Sequence, residues 1–346
     1  MERPLAVGVL TLGGLLLSAT PSQAQSFSFT SIDVPCAACP GGIARRTAPG
    51  GINPAGDIVG TYTDAVGKQH GFLLSGGQFK RIDVPGSLVG STGTLPTVAR
   101  GIGPSGDIVG QFTAPYNPPA STTASEDSGA YCPAIGSVAC IKGFLYSRGE
   151  FSVVLFPGHP GAIPGRITPD GSMYGCYHDF DTMASMFSAA WTRFGDTSIA
   201  AGGGALSDPN LSFPNSMHGG ATPDGSIVTG FYVDMKAIPN HTHGYFLQDG
   251  VLQTYDVPDS TFTVVWDINP GKEAVGTYFD KAGKQHGFIQ LPDGSVPITL
   301  DVPSTPPFNA VGNNAMGVNP AGAIVGQYAD KNGHTHAFLA VPTGSQ

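Results

Sequence analysis

The chain has 346 residues, 40% of them apolar, and a formal net charge of −9, with no basic stripe or Lys/Arg cluster that would meet nucleic-acid phosphates. Fifty glycines and thirty prolines fall at recurring positions between apolar runs, a pattern of turn-rich β structure and not of disorder.

At the N-terminus, Arg3 precedes the apolar run Leu5 to Leu17, and Ser22-Gln23-Ala24 offers the small residues a signal peptidase reads. Residues 1–24 are therefore expected to be a secretory signal. The run is shorter than the ~20 residues a bilayer-spanning helix needs, and no later stretch is long enough to span. The mature chain, 25–346, is expected to be a single secreted or periplasmic domain. In such a compartment thiols tend to pair. Cys132 and Cys140, both in the insertion 113–141, are expected to bridge, and Cys36 and Cys39 to bridge each other or a neighbouring loop. Cys176 is left over.

Phe27 to Pro35 reads as a strand ending in Asp-Val-Pro, and that ending returns at Asp83, Asp256 and Asp301. Proline and a charge at a strand end suit a sheet edge. GINPAGDIVG, from Gly51, is the first of six related phrases. The others begin at Gly101, Arg166, Gly220, Asp267 and Gly317. Each reads as a tight turn, with Pro fixing φ and Gly supplying a positive φ, followed by an apolar strand. No Lys-Ser/Thr or GxGxxG with a following helix makes this a phosphate loop. A further strand carries His70-Gly71-Phe72, Lys142-Gly143-Phe144, Ala189-Ala190-Trp191, His243-Gly244-Tyr245, His286-Gly287-Phe288 or His336-Ala337-Phe338. The aromatics are expected to pack between sheets. The repeated His, absent from two copies, reads as structural, its ring hydrogen-bonded within the sheet.

Four antiparallel strands in a unit of about fifty residues make a propeller blade. The fold expected is all-β, a six-bladed β-propeller whose ring closes by pairing the N-terminal strand with the C-terminal blade. Through GINPAGDIVG, the HGF tripeptides and the DVP strand ends, the chain resembles the HAF-repeat family of extracellular bacterial proteins. The resemblance implies location and fold and brings no catalytic motif.

In a four-stranded blade the loops between strands two and three share one face with the blade-to-blade connections. These loops are short in blades one, five and six and elaborate in blades two to four, and variable loops are where binding residues usually sit. His159, Tyr177, His178, Asp179, His218 and His241 fall there. Imidazole and carboxylate together point to ligand binding, with a divalent metal as a candidate cofactor. The chain lacks GxSxG, Walker and zincin motifs. It is expected to be a binding or scaffold protein that recognises an extracellular glycan or protein. The alternative is a secreted hydrolase or lyase on the same face, metal-assisted or not.

Overall fold

The computed structural model describes residues 26–115, 139–156, 161–178, 186–194, 198–202 and 215–344. The strands fall into groups of four. The first holds β2 (Arg46–Ile52), β3 (Ile58–Thr63), β4 (Gln69–Ser75) and β5 (Gln78–Ile82). The second holds β6 (Thr97–Ile102), β7 (Ile108–Pro115), β8 (Ala139–Ser147) and β9 (Glu150–Val154), and the third β10 (Gly161–Ile167), β11 (Met173–His178), β12 (Met186–Phe194) and β13 (Ser198–Gly202). The fourth is β14 (Ser216–Ala221), β15 (Ile227–Asp234), β16 (His241–Gln248) and β17 (Val251–Tyr255), followed by β18 (Phe262–Ile268), β19 (Ala274–Phe279), β20 (Gln285–Gln290) and β21 (Ile298–Leu300). In the last group, β22 (Ala310–Val318), β23 (Ile324–Asp330) and β24 (Thr335–Pro342) are completed from the other end of the chain by β1 (Phe27–Ile32), which runs antiparallel to β24 from Phe27↔Pro342 to Ile32↔Ala337.

Within every group, neighbouring strands pair antiparallel. Single parallel bridges, Arg46↔Thr335 and Thr242↔Phe262, join groups, so hydrogen bonding yields sheets of eight, four, eight and four strands. The first strands touch in the order β2, β6, β10, β14, β18, β22, and β22 touches β2 again. The insertion expected at 113–141 is narrower at its base, because Thr113↔Ile141, Ala114↔Cys140 and Pro115↔Ala139 continue the ladder of β7 and β8.

Recurring residues explain this repetition. A proline turn closes each first hairpin, entered by Asn in the first, fifth and sixth groups, by Gly103 in the second and by Thr168 and Thr222 in the third and fourth. Asn53 accepts from the Asp57 N–H (2.9 Å) and Asn269 from that of Glu273 (3.0 Å). Gly56 takes φ 85°, and in the fifth copy, where Gly and its successor exchange places, Lys272 adopts the left-handed conformation instead (φ 63°). After the turn the strand reaches a glycine lying against the aromatic of the third strand in five groups; in the third, Gly175 pairs with Ala189, and Trp191 pairs with Met173, two residues along from the place the repeat predicts. A Cβ on Gly60 would stand 2.7 Å from the Phe72 ring, so only glycine fits. Phe72, Phe144, Trp191, Tyr245, Phe288 and Phe338 are all buried, at 0–1% exposure, and all but Tyr245 belong to the hydrophobic clusters between sheets.

The Asp-Val-Pro ends do more than terminate an edge. The valine side chains are buried. Their N–H groups donate to the first strand of the next group: Val34 to Thr47 (3.2 Å), Val84 to Thr97 (3.0 Å), Val257 to Thr263 (3.1 Å) and Val302 to Asn313 (2.9 Å). Each acceptor is itself buried. The motif thus staples one group to its successor.

Cys36 and Cys39 form a disulfide across a tight turn, with Cα atoms 5.3 Å apart. Cys176 is a buried free thiol, its pKa pushed up to about 12 by burial. The expected Cys132–Cys140 bridge lies outside the described residues, as does the leader.

Candidate functional site

The repeated histidine and the aspartate of Asp-Val-Pro meet in space. His70 Nδ1 lies 2.7 Å from the Asp83 carboxylate, His243 Nδ1 2.8 Å from Asp256, His286 Nδ1 2.7 Å from Asp301 and His336 Nδ1 2.8 Å from Asp33. In the first and fifth groups the other ring nitrogen faces the aspartate that opens the Asp-x-x-Gly loop, Asp64 at 3.1 Å and Asp280 at 3.4 Å. A tyrosine of the second strand stacks on the ring, as Tyr62 does on His70 at 5.1 Å between centroids. This carboxylate–imidazole–carboxylate clamp fixes the loop to the strand end and is the structural role expected of the repeated histidine. In the second group Lys142 takes the place, 1% exposed, with burial pushing its ammonium pKa down to about 8.

The fourth and sixth groups elaborate the clamp. Both carry a second histidine two residues earlier, in His241-Thr242-His243 and His334-Thr335-His336. Beside the sixth clamp lies a cleft of about 460 Å³, bordered by Phe29, Asp33, Phe308, Asn309, Tyr328 and His336 among others. Phe29 meets Phe308 edge to face at 6.5 Å, and Tyr328 stacks on His336 at 4.9 Å. The Tyr328 and Ser31 hydroxyls lie 3.1 Å apart. The pKa of His336 is raised, chiefly by its hydrogen bond to Asp33. The cleft forms where β1 completes the last group, so residues three hundred positions apart build it.

The residues singled out in the sequence are dispersed. Tyr177 is a core residue, stacked on Phe156 at 4.2 Å and on Phe187 at 5.2 Å. His178, last in β11, is buried with its Nε2 3.8 Å from Cys176 Sγ, and burial lowers its pKa. Its Nδ1 is buried without a hydrogen-bond partner. His218 stands in the middle of β14, opposite Gly230, and not on a loop. Its Nδ1 is 2.6 Å from the Tyr245 hydroxyl, and burial pulls its pKa down to about 4. His241 opens β16 and stacks on His243 at 4.2 Å. His159 and Asp179 lie outside the described residues. Sequence reasoning passed over His334, Asp33 and Asp330, although His334 stands where the first and fifth copies carry Lys68 and Lys284.

The axis along which the first strands meet holds a second polar feature. Arg166 and Asp267 occupy the position that is glycine in the other four turn phrases, and each follows a bulge in its strand. Arg166 Nη1 donates to the Arg100 and Gly165 carbonyls (2.8 Å each), Nη2 donates to the Met316 carbonyl, and Nε stands 3.4 Å from the Asp267 carboxylate. Asp267 also accepts from the Ile268 and Val318 N–H groups. Burial raises its pKa against the pull of Arg166. Cavities of about 90 and 150 Å³, both bordered by Arg166, complete this axis. They are too small for a drug-sized ligand.

No family model matches the chain, and no curated protein matches it. Solved structures do. A Trypanosoma rangeli sialidase in complex with 2,3-difluorosialic acid is 10% identical with a TM-score of 0.51, covering 91% of this chain and 59% of the sialidase. TolB from Acinetobacter baumannii is 14% identical (TM-score 0.48), covering 84% of this chain and 64% of TolB. The β-propeller domain of the Trilobed protease from Pyrococcus furiosus is 12% identical (TM-score 0.42), covering 87% of this chain and 96% of that domain. The chain thus spans less than two thirds of the sialidase and TolB chains it matches. At these identities the likeness shows the fold alone, an all-β structure of the propeller kind. Among the described residues no helix is long and apolar enough to cross a membrane.

Proposed function

We propose that this chain is an exported binding protein, a single six-bladed propeller of the HAF-repeat kind that takes a glycan in the cleft beside His336. The round of contacts from β2 through β22 and back to β2, with β1 completing the last group, supports six blades in a closed ring. The leader-like segment 1–24 and the Cys36–Cys39 disulfide support export.

The observation that carries the ligand class is the chemistry of the cleft. Phe29 and Phe308 offer apolar ring surface, while Asp33, Asn309 and Ser31 offer hydrogen-bonding groups along the same wall. A sugar presents both counterparts, C–H faces for the rings and hydroxyls for carboxylate, amide and hydroxyl. This moves the candidate site from blades two to four to the sixth.

The test is a screen of the full chain against oligosaccharides, followed by calorimetry on any ligand found. Phe308→Ala is expected to weaken binding by about tenfold or more, the scale of losing a buried aromatic anchor, while leaving the melting temperature within a few degrees of wild type. Failure to bind any oligosaccharide, or equal binding by the variant, would rule this reading out.

A further inference from the structure

The sixth clamp departs from the other copies in one residue and one spacing. Lys68 of the first copy reaches away to the Thr94 carbonyl and hydroxyl (2.8 and 3.0 Å), and Lys284 of the fifth stands 3.6 Å from Asp301. Their counterpart His334 turns its Nδ1 to within 3.6 Å of Asp330 Oδ2. From the other side His336 Nε2 stands 3.7 Å from the same oxygen, against 3.1 Å for the matching contact in the first copy. At 3.6 and 3.7 Å neither imidazole is hydrogen-bonded to that oxygen. The three atoms lie within 4.8 Å of one another.

These separations are close to those an ion imposes on its ligands. Bonds of about 2.0–2.1 Å at tetrahedral angles place ligand atoms roughly 3.4 Å apart, so each imidazole–carboxylate separation needs only a few tenths of an ångström of contraction, while the two imidazole nitrogens lie within 4.8 Å of each other. The two rings stand at 87° with centroids 6.3 Å apart and are not stacked on each other. The carboxylate is already aimed. Asp330 Oδ1 accepts from the Asn332 and His334 N–H groups (2.8 and 2.9 Å), and Oδ2 accepts from the Asn332 side-chain amide (3.1 Å).

Behind the set stands a supporting carboxylate. His336 Nδ1 bonds to Asp33 at 2.8 Å, which assigns the proton to Nδ1 and leaves the Nε2 lone pair directed at Asp330 and His334. A carboxylate holding the far nitrogen of a ligating histidine is a general feature of metal sites. Asp33, Asp330 and His336 also border the 460 Å³ cleft, which gives an ion room for water or an oxygen ligand at its remaining position.

The fourth group is the internal contrast. Ligand atoms of His241, His243 and Asp256 also lie within 4.8 Å of one another, but the two rings stack nearly parallel, at 21° and 4.2 Å, which turns their in-plane lone pairs away from a common point, and His243 Nδ1 is committed to Asp256.

We propose that Asp330, His334 and His336 bind a divalent first-row transition ion, zinc or cobalt in the first instance, with Asp33 as the positioning residue behind His336. Two imidazoles and one carboxylate suit such ions and leave a coordination position open toward the cleft. Binding exchanges any proton on His336 Nε2 for the ion and requires no redox step.

The experiment titrates the chelator-stripped full chain with Co²⁺, followed by its visible d–d absorption, and then competes Zn²⁺ against it. One equivalent per chain with a four-coordinate spectrum is expected. His334→Lys, which installs the residue the first and fifth copies already carry, is expected to fold and to weaken binding by more than the 10–100-fold that outer-shell changes cost. Asp33→Asn should lose about 10–100-fold, and His241→Ala should bind as wild type. In the unsubstituted chain, Zn²⁺ should shift the imidazole ¹⁵N resonances of His334 Nδ1 and His336 Nε2 and leave His70 and His286 in place. Sub-stoichiometric cobalt binding, wild-type binding by His334→Lys, loss of binding in His241→Ala, or ¹⁵N shifts at other histidines would each overturn the proposal. The probe is the metal alone, so the result is independent of whether the cleft takes a sugar.

Discussion

His218 shows how burial reassigns a residue that looks functional in a sequence. Its imidazole sits between Tyr174 and Tyr245, 5% exposed, bonded to the Tyr245 hydroxyl. With its folded pKa at about 4, below the 6.5 of a free imidazole, the neutral ring is the stable form. The sign follows directly: its contribution is complete above pH 6.5 and is lost as pH falls from 6.5 through 4, by up to about 3 kcal/mol. His218→Asn cannot protonate. It is expected to flatten the fall in melting temperature between pH 6.5 and 4, at a cost near 1 kcal/mol at pH 7.5. A variant with the wild-type acid profile would show that another group carries the transition. A histidine outside the recurring position reads as a loop residue in the sequence because residue type is visible there and depth is not. Tyr177 was misplaced for the same reason.

At the scale of elements, the strands and turns were legible because their chemistry repeats. Pro-x-Gly turns, the glycine beneath the aromatic and the aromatic itself recur in phase in most copies; the exceptions are the fifth turn, where Lys272 takes the positive φ, and the third group, where Trp191 pairs with Met173 and Gly175 with Ala189. The Asp-Val-Pro ends were legible as a feature and not as a device. Their aspartate reaches a histidine of the same group, 13 residues back from Asp83 to His70 and 15 from Asp301 to His286, and their valine N–H reaches forward to the next sheet, by 13 residues from Val84 to Thr97 and 11 from Val302 to Asn313. Neither partner follows from strand periodicity. Thr97 Oγ1 accepts from Val84 and donates to the Leu95 carbonyl at 2.8 Å. Thr97→Val keeps the shape and removes the hydroxyl, stranding a buried N–H, and is expected to destabilise by about 1–3 kcal/mol. Thr97→Ser should recover most of that loss. Urea unfolding of the three proteins measures it, and equal midpoints would show that the staple carries no net stability.

For the whole molecule, the Arg166–Asp267 pair ties four groups together across the axis, since Arg166 of the third group reaches carbonyls of the second and sixth and the carboxylate of the fifth. Arg166→Met leaves Asp267 buried without its cation and is expected to cost about 3–5 kcal/mol. Adding Asp267→Leu should restore a large part, because the charge left behind is then removed. Denaturant midpoints for the single and double variants provide the check, and additive losses would mean that the pair is not coupled. The sequence held this signal as two charged residues where four copies have glycine. Its meaning depended on knowing that both positions face one axis. The cleft beside His336 was less legible still, because its walls come from opposite ends of the chain.

That junction also sets the order of events in folding. Ser26 and Thr343 bond across a separation of 317 residues, and β1 has its partner only once β24 exists. A chain made from its N-terminus therefore carries β1 as an unsatisfied edge throughout synthesis of the intervening strands. Closing so long a loop costs entropy before any contact rewards it, which places this pairing among the late and slow steps. Until then the exposed partner edge of β24 is open to β1 of another copy, and the same hydrogen bonds that complete one molecule could link two by exchange of that strand.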